Sequence, residues 1–385
     1  MKILMTGLLP TDLKEVKGGV VSVILNFLEA YSRVPGVHVT HLSFNEDIKS
    51  PVTTYYSPTV TIRYVPFRTR IALFDYLLNR EVLLSIIRSE APDIIHIQEV
   101  TPQLFRFLFL NLNRTVVTQH GIMREELKTA IGWKRKLKGL FKVQVERFVF
   151  PLFRNIIFIS DYNRKLFNGR PVNQAIIFNP VNRIFIESAP GAGDRHSMLY
   201  VGVINVRKNL RLVLQAISQL RSAGIEYRLH VVGGYKDHSY KQIVDRLLVE
   251  LGVSDLVTFH GWMQQEDILT LHSACSIYVL PSTQETMPVS IAESMATGRV
   301  VIASAVGAIG EMFTDRHSGF LFPINDVAKL CSILTELDRS PALLAEIAAN
   351  ARREALEKFN PDKVTNQTIR FFDSVRASNS EILVN

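Results

Sequence analysis

Two glutamates eight residues apart, Glu285 and Glu293, constrain this chain most strongly, because the sequence around them specifies one kind of local fold. An apolar run at 276–280 precedes the pair and another at 299–303 follows it. Both runs have the length and composition of buried strands in a parallel sheet. The pattern therefore predicts a strand, a loop that carries Glu285, a helix that carries Glu293, and a second strand.

Two residues mark the expected ends of that helix. Pro288 suits its first turn, where no N–H donor is needed, and Gly298 suits its end, where a positive φ is wanted. Eight residues of helix would span ~12 Å, which sets the expected separation of Glu285 and Glu293. The helix N-terminus between them carries partial positive charge, so an anion is favoured there.

The rest of the chain alternates strands and helices in two similar halves, as expected for 385 residues that exceed one ordinary core. Strands are predicted in the first half at 2–6, 38–42, 59–65, 94–97, 115–118, 155–159 and 175–178. Strands are predicted in the second half at 198–203, 228–232, 257–259, 276–280, 300–303 and 320–322. This alternation indicates an α/β fold with doubly wound sheets. We predict domains at 1–186 and 198–360, a small polar linker rich in Gly and Pro at 187–197, and a C-terminal helix within 361–385.

The stretch around Glu285 and Glu293 resembles the E-x7-E signature of the retaining glycosyltransferases with the GT-B fold, that is, glycosyltransferase family 4 or the group 1 glycosyltransferases. The resemblance implies two Rossmann-like domains that face each other across a cleft, the first on the acceptor side and the second binding a nucleotide sugar. It also implies that the last helix crosses back to the first domain. In the family the first glutamate holds the hydroxyls of the donor sugar and the second holds those of the ribose. Those roles fall on Glu285 and Glu293.

The same resemblance supplies further site residues. The implied donor-binding residues are Gly18, Gly19, Gly202, Arg207, Lys208, Gly233, Thr286, Met287, Pro288 and Glu293. The implied catalytic residues are Glu285 and His120, the latter at the end of a predicted strand.

One position departs from the family pattern. Lys208 falls on the lysine of the family, whereas Val203 stands where the family usually has an arginine. Arg207 could supply the missing charge from a neighbouring position.

The implied activity is transfer of a sugar from a UDP- or GDP-sugar to a hydroxyl of a glycan or lipid-linked acceptor, with the α configuration retained. Bacterial cell-surface polysaccharide synthesis is the expected setting. The sequence contains no Asp-x-Asp pair, and no metal or other cofactor is expected. Two alternatives stay open: a nucleotide-sugar-binding GT-B protein with weak or lost turnover, prompted by Val203, and a GT-B epimerase that acts on the nucleotide sugar itself.

The charge pattern bears on partners and location. Forty-four Lys and Arg against 36 Asp and Glu give a net charge of +8, but the chain has neither a regular basic-aromatic array nor zinc-ligand spacing, so no nucleic acid partner is expected. Residues 124–147 mix cations with Trp, Leu and Phe, which fits either a helix on an anionic membrane surface or an ordinary solvated helix. No uncharged run reaches the ~18 residues that span a bilayer. The two cysteines fit a reducing compartment, so a cytoplasmic protein is expected, peripheral on the inner face of the membrane if that surface binds lipid.

Overall fold

The computed structural model of the chain describes residues 1–14, 18–66, 72–98, 112–128, 133–167, 169, 171–191 and 193–382. These residues form two compact units. The first unit combines Met1–Pro180 with Pro361–Asn385, and the second unit is Val181–Asn360. Each unit is an α/β layer structure built on its own sheet.

The described residues of the first unit contain an eight-stranded sheet. Its strands are β1 (Lys2–Thr6), β2 (His38–Asn45), β3 (Val52–Ser57), β4 (Val60–Pro66), β5 (Ile94–Ile97), β6 (Thr115–Gln119), β7 (Asn155–Phe158) and β8 (Asn173–Ile176). Its order is β3-β4-β2-β1-β5-β6-β7-β8, and every neighbouring pair is parallel except β3 and β4. The helices that follow these strands are α1 (Gly19–Ser32), α2 (Ala72–Glu90), α3 (Met123–Lys128), α4 (Trp133–Val149) and α5 (Asp161–Leu166).

The central strands of this sheet are buried on both faces, and their sequences are accordingly rich in Ile, Val and Leu, although β5 and β6 also bury polar residues such as His96 and Thr118. Leu4, Ile95, Val117 and Ile156 come from four neighbouring strands and share one hydrophobic cluster. The edge strand β3 differs, because its side chains are mostly exposed and its sequence carries no such run. It pairs antiparallel with β4 and is absent from the predicted strands.

The second unit has a six-stranded sheet, and every neighbouring pair in it is parallel. Its strands are β9 (Asp194–Val201), β10 (Arg228–Val232), β11 (Val257–Gly261), β12 (Cys275–Leu280), β13 (Val300–Ser304) and β14 (Phe320–Phe322), in the order β11-β10-β9-β12-β13-β14. Its helices are α6 (Arg183–Glu187), α7 (Leu210–Ser222), α8 (His238–Glu250), α9 (Gln265–Ala274), α10 (Val289–Ala296), α11 (Ile309–Met312), α12 (Val327–Arg339) and α13 (Pro341–Lys358). Because β9 and β12 lie side by side, the loops after them meet at the carboxyl edge of the sheet.

The last helix, α14 (Pro361–Ile382), belongs to the first unit although it follows the second in sequence. It packs against α1, and the Phe372 ring lies edge-on to His96 of β5, with 5.0 Å between centroids. The buried residues Val364, Phe372 and Val375 supply its apolar face.

The boundary between the units differs from the predicted linker at 187–197. The chain enters the second unit at Val181, and β9 begins at Asp194, inside the polar stretch. Asp194 pairs with Cys275 of β12, and its carboxylate accepts hydrogen bonds from the His196 backbone N–H and the Ser197 hydroxyl. The small polar composition therefore belongs partly to the start of a strand, whose polar groups are satisfied locally.

The basic segment predicted at 124–147 forms α3 and α4, and its residues 129–132 lie outside the described residues. Among the described helices, none has the length and apolarity needed to cross a bilayer. The segment therefore lies in this unit as two separate helices.

Candidate functional site

Three neighbouring strands of the second unit, β9, β10 and β11, end in turns that pack backbone against backbone. The Gly202 N–H donates to Val232 O, and the Gly233 N–H donates to Gly261 O at 2.7 Å. Gly233 has a φ of 125°, and a Cβ atom there would lie 2.1 Å from Gly202 O. Only glycine fits at this contact, so the predicted donor-binding residues Gly202 and Gly233 shape the carboxyl edge of the sheet.

Glu285 lies on the loop after β12, as predicted, and its side chain is buried with 6 % of the residue exposed. Its Oε1 lies 2.7 Å from Lys208 Nζ and 3.0 Å from Arg207 Nη1. Burial alone would raise the pKa of this carboxyl, but Lys208 and Arg207 outweigh it and hold the pKa below its usual value. The carboxylate is therefore ionised and held between two cations, one of them the buried Lys208.

Backbone contacts position the two cations. They lie in a 3-10 turn, Val206–Lys208, whose N-cap Asn205 accepts a hydrogen bond from the Lys208 N–H at 3.0 Å. The Arg207 carbonyl accepts from the Thr283 N–H at 2.8 Å, and Arg207 Nη1 donates to Gln284 O at 2.7 Å. The turn after β9 and the loop after β12 are thus fixed to each other on both sides of Glu285.

The position of Arg207 is relevant to Val203, which stands where the family usually has an arginine. Val203 is half-buried and brings no charge, while the Arg207 guanidinium points to Glu285 with 31 % of its side chain exposed. Burial lowers the pKa of the Lys208 ammonium, and Glu285 opposes that effect. Two cations against one carboxylate leave an excess of one positive charge beside the loop.

Glu293 is buried in α10, with 7 % of the residue exposed. Burial raises the pKa of its carboxyl to about 7, and the described residues offer it neither an ion pair nor a side-chain hydrogen bond. The helix begins at Val289, after the N-cap residue Pro288, so only the second half of the spacing between the glutamates is helical. The predicted stop at Gly298 is confirmed by its φ of 73°.

The residues between the two glutamates form the approach to α10. Thr286 is half-buried, whereas Met287 and Pro288 are buried. The helix also carries Ser290, whose Oγ lies 2.7 Å from the Tyr278 hydroxyl of β12. Strand and helix are therefore joined below the loop that carries Glu285.

The remaining predicted residues lie in the first unit. Gly18 is the N-cap of α1 with a φ of 124°, Gly19 is the first residue of that helix, and both are exposed. Lys17, which precedes them, is outside the described residues. Two exposed glycines at the start of a helix give a ligand access to the backbone.

His120 follows β6 and is buried, which lowers the pKa of its ring to about 4. Its Nε2 makes a short hydrogen bond to Gln98 Oε1, and Gln98 Nε2 lies 3.1 Å from His96 Nε2. His96 Nε2 also lies 2.8 Å from Thr118 Oγ1. His120 is therefore neutral near pH 7, and a buried polar chain sets its orientation.

The residues that position the site side chains through hydrogen bonds are not among those predicted from the sequence. Gln98 and Thr283 carry no local signature, because their partners are distant in sequence. Asn205 carries one, since an asparagine three residues before Lys208 fits an N-cap.

Two families match the chain. The family described as "Glycosyl transferases group 1" matches residues 183–354, and the family described as "Glycosyltransferase Family 4" matches residues 17–183. An uncharacterized glycosyltransferase of Methanocaldococcus jannaschii is 26 % identical over 329 residues, which are 83 % of this chain and 88 % of that protein. The putative colanic acid biosynthesis glycosyltransferase WcaL of Salmonella typhimurium is 23 % identical over 51 % of this chain and 49 % of that protein.

Solved structures share the fold over nearly the whole chain. Sucrose-phosphate synthase of Thermosynechococcus elongatus has a TM-score of 0.78 and 19 % identity, over 98 % of this chain and 99 % of that one. Anabaena HepE, solved in complex with UDP and glucose, has a TM-score of 0.73 and 17 % identity, over 97 % of this chain and 100 % of that one. These similarities identify the fold as GT-B, with two Rossmann-like domains.

The loop after β13 generates a first prediction, because a Cβ atom at Gly307 would lie 1.7 Å from Glu285 O. Gly252 has a similar φ, 63° against 57°, but nothing lies within 4 Å of its Cβ position. Gly252→Ala should cost about 1–2 kcal/mol of unfolding free energy for the left-handed conformation alone. Gly307→Ala should cost clearly more, measured by urea denaturation. Equal costs would contradict the close packing around Glu285.

A second prediction concerns the buried ion cluster. Glu285→Gln should lower the free energy of unfolding by about 3–5 kcal/mol, because it leaves the buried Lys208 ammonium without its partner. Lys208→Met should cost less, because Arg207 still pairs with the Glu285 carboxylate at 3.0 Å. The double variant should lose less than the sum of the two, measured by denaturation in a double-mutant cycle. Strict additivity would show that the Lys208–Glu285 contact carries no coupling.

A third prediction follows from the unpaired burial of Glu293. Its pKa of about 7 lies above the 4.5 of an unperturbed glutamate, so ionisation destabilises the folded state as pH rises through that window. The stability of Glu293→Gln relative to the native protein should therefore rise by about 3 kcal/mol between pH 4.5 and pH 8. The matched control is Glu250→Gln at an exposed position of the same unit. An equal difference at both pH values would contradict the burial effect.

Proposed function

Because the chain belongs to the group 1 glycosyltransferases and has their GT-B fold, we propose that it transfers a sugar from a nucleotide donor to an acceptor hydroxyl. The observation that carries the proposal is Glu285, buried between Lys208 and Arg207 at the carboxyl edge of the second sheet. Glu293, buried and without an ion pair among the described residues, follows eight positions later. A UDP- or GDP-sugar is the proposed donor, and a glycan or lipid-linked molecule is the proposed acceptor.

Glu293 is suited to bind the ribose. Its buried carboxyl has neither an ion pair nor a side-chain hydrogen bond within the described residues. A ribose presents two adjacent hydroxyl donors, and a carboxylate can accept a hydrogen bond from each. Such bonds would replace the hydration that burial removes, so donor binding would favour the ionised form of Glu293.

Glu285 is suited to bind hydroxyls of the donor sugar and unsuited to attack it. Both nearby cations lie within 3.0 Å of its Oε1, and the pKa of this carboxyl lies below the usual value. A carboxylate stabilised in this way is a weak nucleophile, but it remains a hydrogen-bond acceptor. Within the retaining reaction that we propose, this argues against a covalent intermediate, so the acceptor would attack on the face from which the diphosphate leaves.

Lys208 and Arg207 are the proposed ligands of the departing diphosphate. The cluster has one positive charge in excess, and the N-terminus of α10 adds partial positive charge near the same loop. Preformed positive charge of this kind stabilises a leaving group whose negative charge grows in the transition state. The proposal therefore includes a reaction that needs no metal ion.

The finer roles belong to the same proposal. Gly202 and Gly233 would lie against the nucleotide, and Thr286, Met287 and Pro288 would line the sugar pocket. In the first unit, Gly18, Gly19 and His120 are the proposed site residues. The setting we propose is cell-surface polysaccharide synthesis on the cytoplasmic side of the membrane. It is supported by the name of the Salmonella relative and by the cation-rich helix α4. The solved complex of HepE with UDP and glucose supports a UDP-sugar as the first donor to test.

A fourth prediction tests donor recognition. Thermal unfolding followed with a panel of UDP- and GDP-sugars should identify at least one stabilising donor, since a ligand at 100 times its Kd adds about 2.7 kcal/mol. Glu293→Ala should lose that stabilisation, and Glu250→Ala should keep it. Failure of every donor to stabilise the native protein would contradict the proposal.

The same donor then separates the finer claims. Nucleotide release in the presence of an acceptor panel should continue in excess chelator, and activity that returns only with magnesium or manganese would contradict metal independence. Donor binding without turnover on any acceptor would favour a nucleotide-sugar-binding protein, and an epimerised donor would favour an epimerase.

A further inference from the structure

Helix α4 turns an apolar face toward solvent. Five of its large apolar residues have exposed fractions that run from 50 % at Leu140 to 72 % at Trp133. At 3.6 residues per turn these side chains share one arc of about 100°. The apolar residues of this outward arc are Trp133, Leu137, Leu140, Phe141 and Phe148, and one exposed polar residue, Gln144, lies among them.

The opposite side of α4 joins it to the protein. The Glu146 carboxylate accepts hydrogen bonds from the Met123 N–H at 2.7 Å and from Gln119 Nε2 at 3.3 Å. Val149, on the same side, is buried. A helix of a soluble domain normally buries its apolar face, so α4 is inverted with respect to that pattern. An apolar stripe this wide marks an interaction surface rather than scattered exposed residues.

Positive charge borders the arc on both sides. Lys136 and Arg147 are exposed along one border and Lys138 along the other, and the Arg147 guanidinium lies 5.9 Å from the centroid of the Phe148 ring. The α4 sequence has six Lys and Arg residues against one Glu. An apolar stripe flanked by cations matches the boundary between acyl chains and anionic headgroups.

We propose that the outward arc of α4 docks this chain on an anionic lipid bilayer. Trp133, Leu137 and Phe141 would enter the acyl boundary, and the bordering cations would lie among the headgroups. The inference deepens the membrane-side setting given under the proposed function, because a lipid-linked acceptor would be held at that surface. Docking itself does not depend on transferase activity.

The test is co-sedimentation of the full chain with vesicles of phosphatidylcholine, alone or mixed with phosphatidylglycerol. The chain should bind the mixed vesicles, bind the neutral ones much more weakly, and lose affinity as salt rises. The variant Leu137→Glu/Phe141→Glu should bind at least about tenfold more weakly, because two apolar anchors are lost and two negative charges are added. The matched control is Val249→Glu, which adds a charge at a residue of the second unit that is 75 % exposed.

Each other outcome would overturn the proposal in a distinct way. If the chain does not bind anionic vesicles at low salt, a bilayer is excluded as the ligand of the arc. If it binds neutral vesicles equally well, a role for the bordering cations is excluded. Equal binding by the Leu137→Glu/Phe141→Glu variant and the Val249→Glu control removes the outward arc. Self-association of the native protein that this double variant abolishes would assign the arc to a second copy of the chain.

Donor stabilisation measured on the same variants separates this inference from the proposed function. A variant that loses vesicle binding should keep its thermal shift with the nucleotide sugar, because α4 lies in the first unit and the glutamate pair in the second. Loss of both properties would indicate misfolding, which the far-UV spectrum of the variant would reveal. In that case the vesicle test is repeated with Lys138→Glu, a change at a bordering cation outside the arc, after its cooperative unfolding has been verified.

Discussion

The buried contact of Glu285 with Lys208 and Arg207 is the interaction on which the second unit's site depends. Ionised groups removed from water cost several kcal/mol each unless they are closely paired. Here one carboxylate oxygen lies within 3.0 Å of both cations, so their charges offset each other and leave a net positive charge. The cluster therefore fixes the geometry of the loop and also creates a preformed site for an anion.

The backbone explains why the cluster can hold that geometry. Asn205 caps the turn of the two cations, Thr283 bonds to Arg207 O, and Gly307 leaves room for the Glu285 carbonyl. Strands β9 and β12 are neighbours, so both loops rise from the rigid centre of the sheet. Charges fixed in this way need little reorganisation when a diphosphate develops negative charge. Glu293 differs, since its burial leaves an acceptor unused until a hydroxyl-bearing ligand arrives.

Most strands of the second unit could be predicted from the sequence, because each is indicated by a local pattern of residues. Apolar runs identify β12 and β13, and Gly298 marks the end of α10. Other features depend on distant partners: Arg207 and Gln284 meet across 77 residues, and Gln98 reaches His120 across 22. The exposed strand β3 has no apolar run to reveal it, and the polar start of β9 is indistinguishable by composition from a linker. Which side of α4 is exposed depends on tertiary packing, and helical periodicity alone does not predict it.

The most direct test of the central claim compares, by calorimetry, the binding of a nucleoside diphosphate with that of the corresponding nucleotide sugar. The comparison is made on the native protein and on folded Glu285→Gln and Glu293→Gln variants. If Glu293 binds the ribose and Glu285 binds the sugar, Glu293→Gln should weaken both ligands by a similar factor. Glu285→Gln should retain the nucleotide and lose only the additional affinity that the sugar provides. A Glu285→Gln variant that weakens both ligands alike, or a Glu293→Gln variant that weakens neither, would contradict the account.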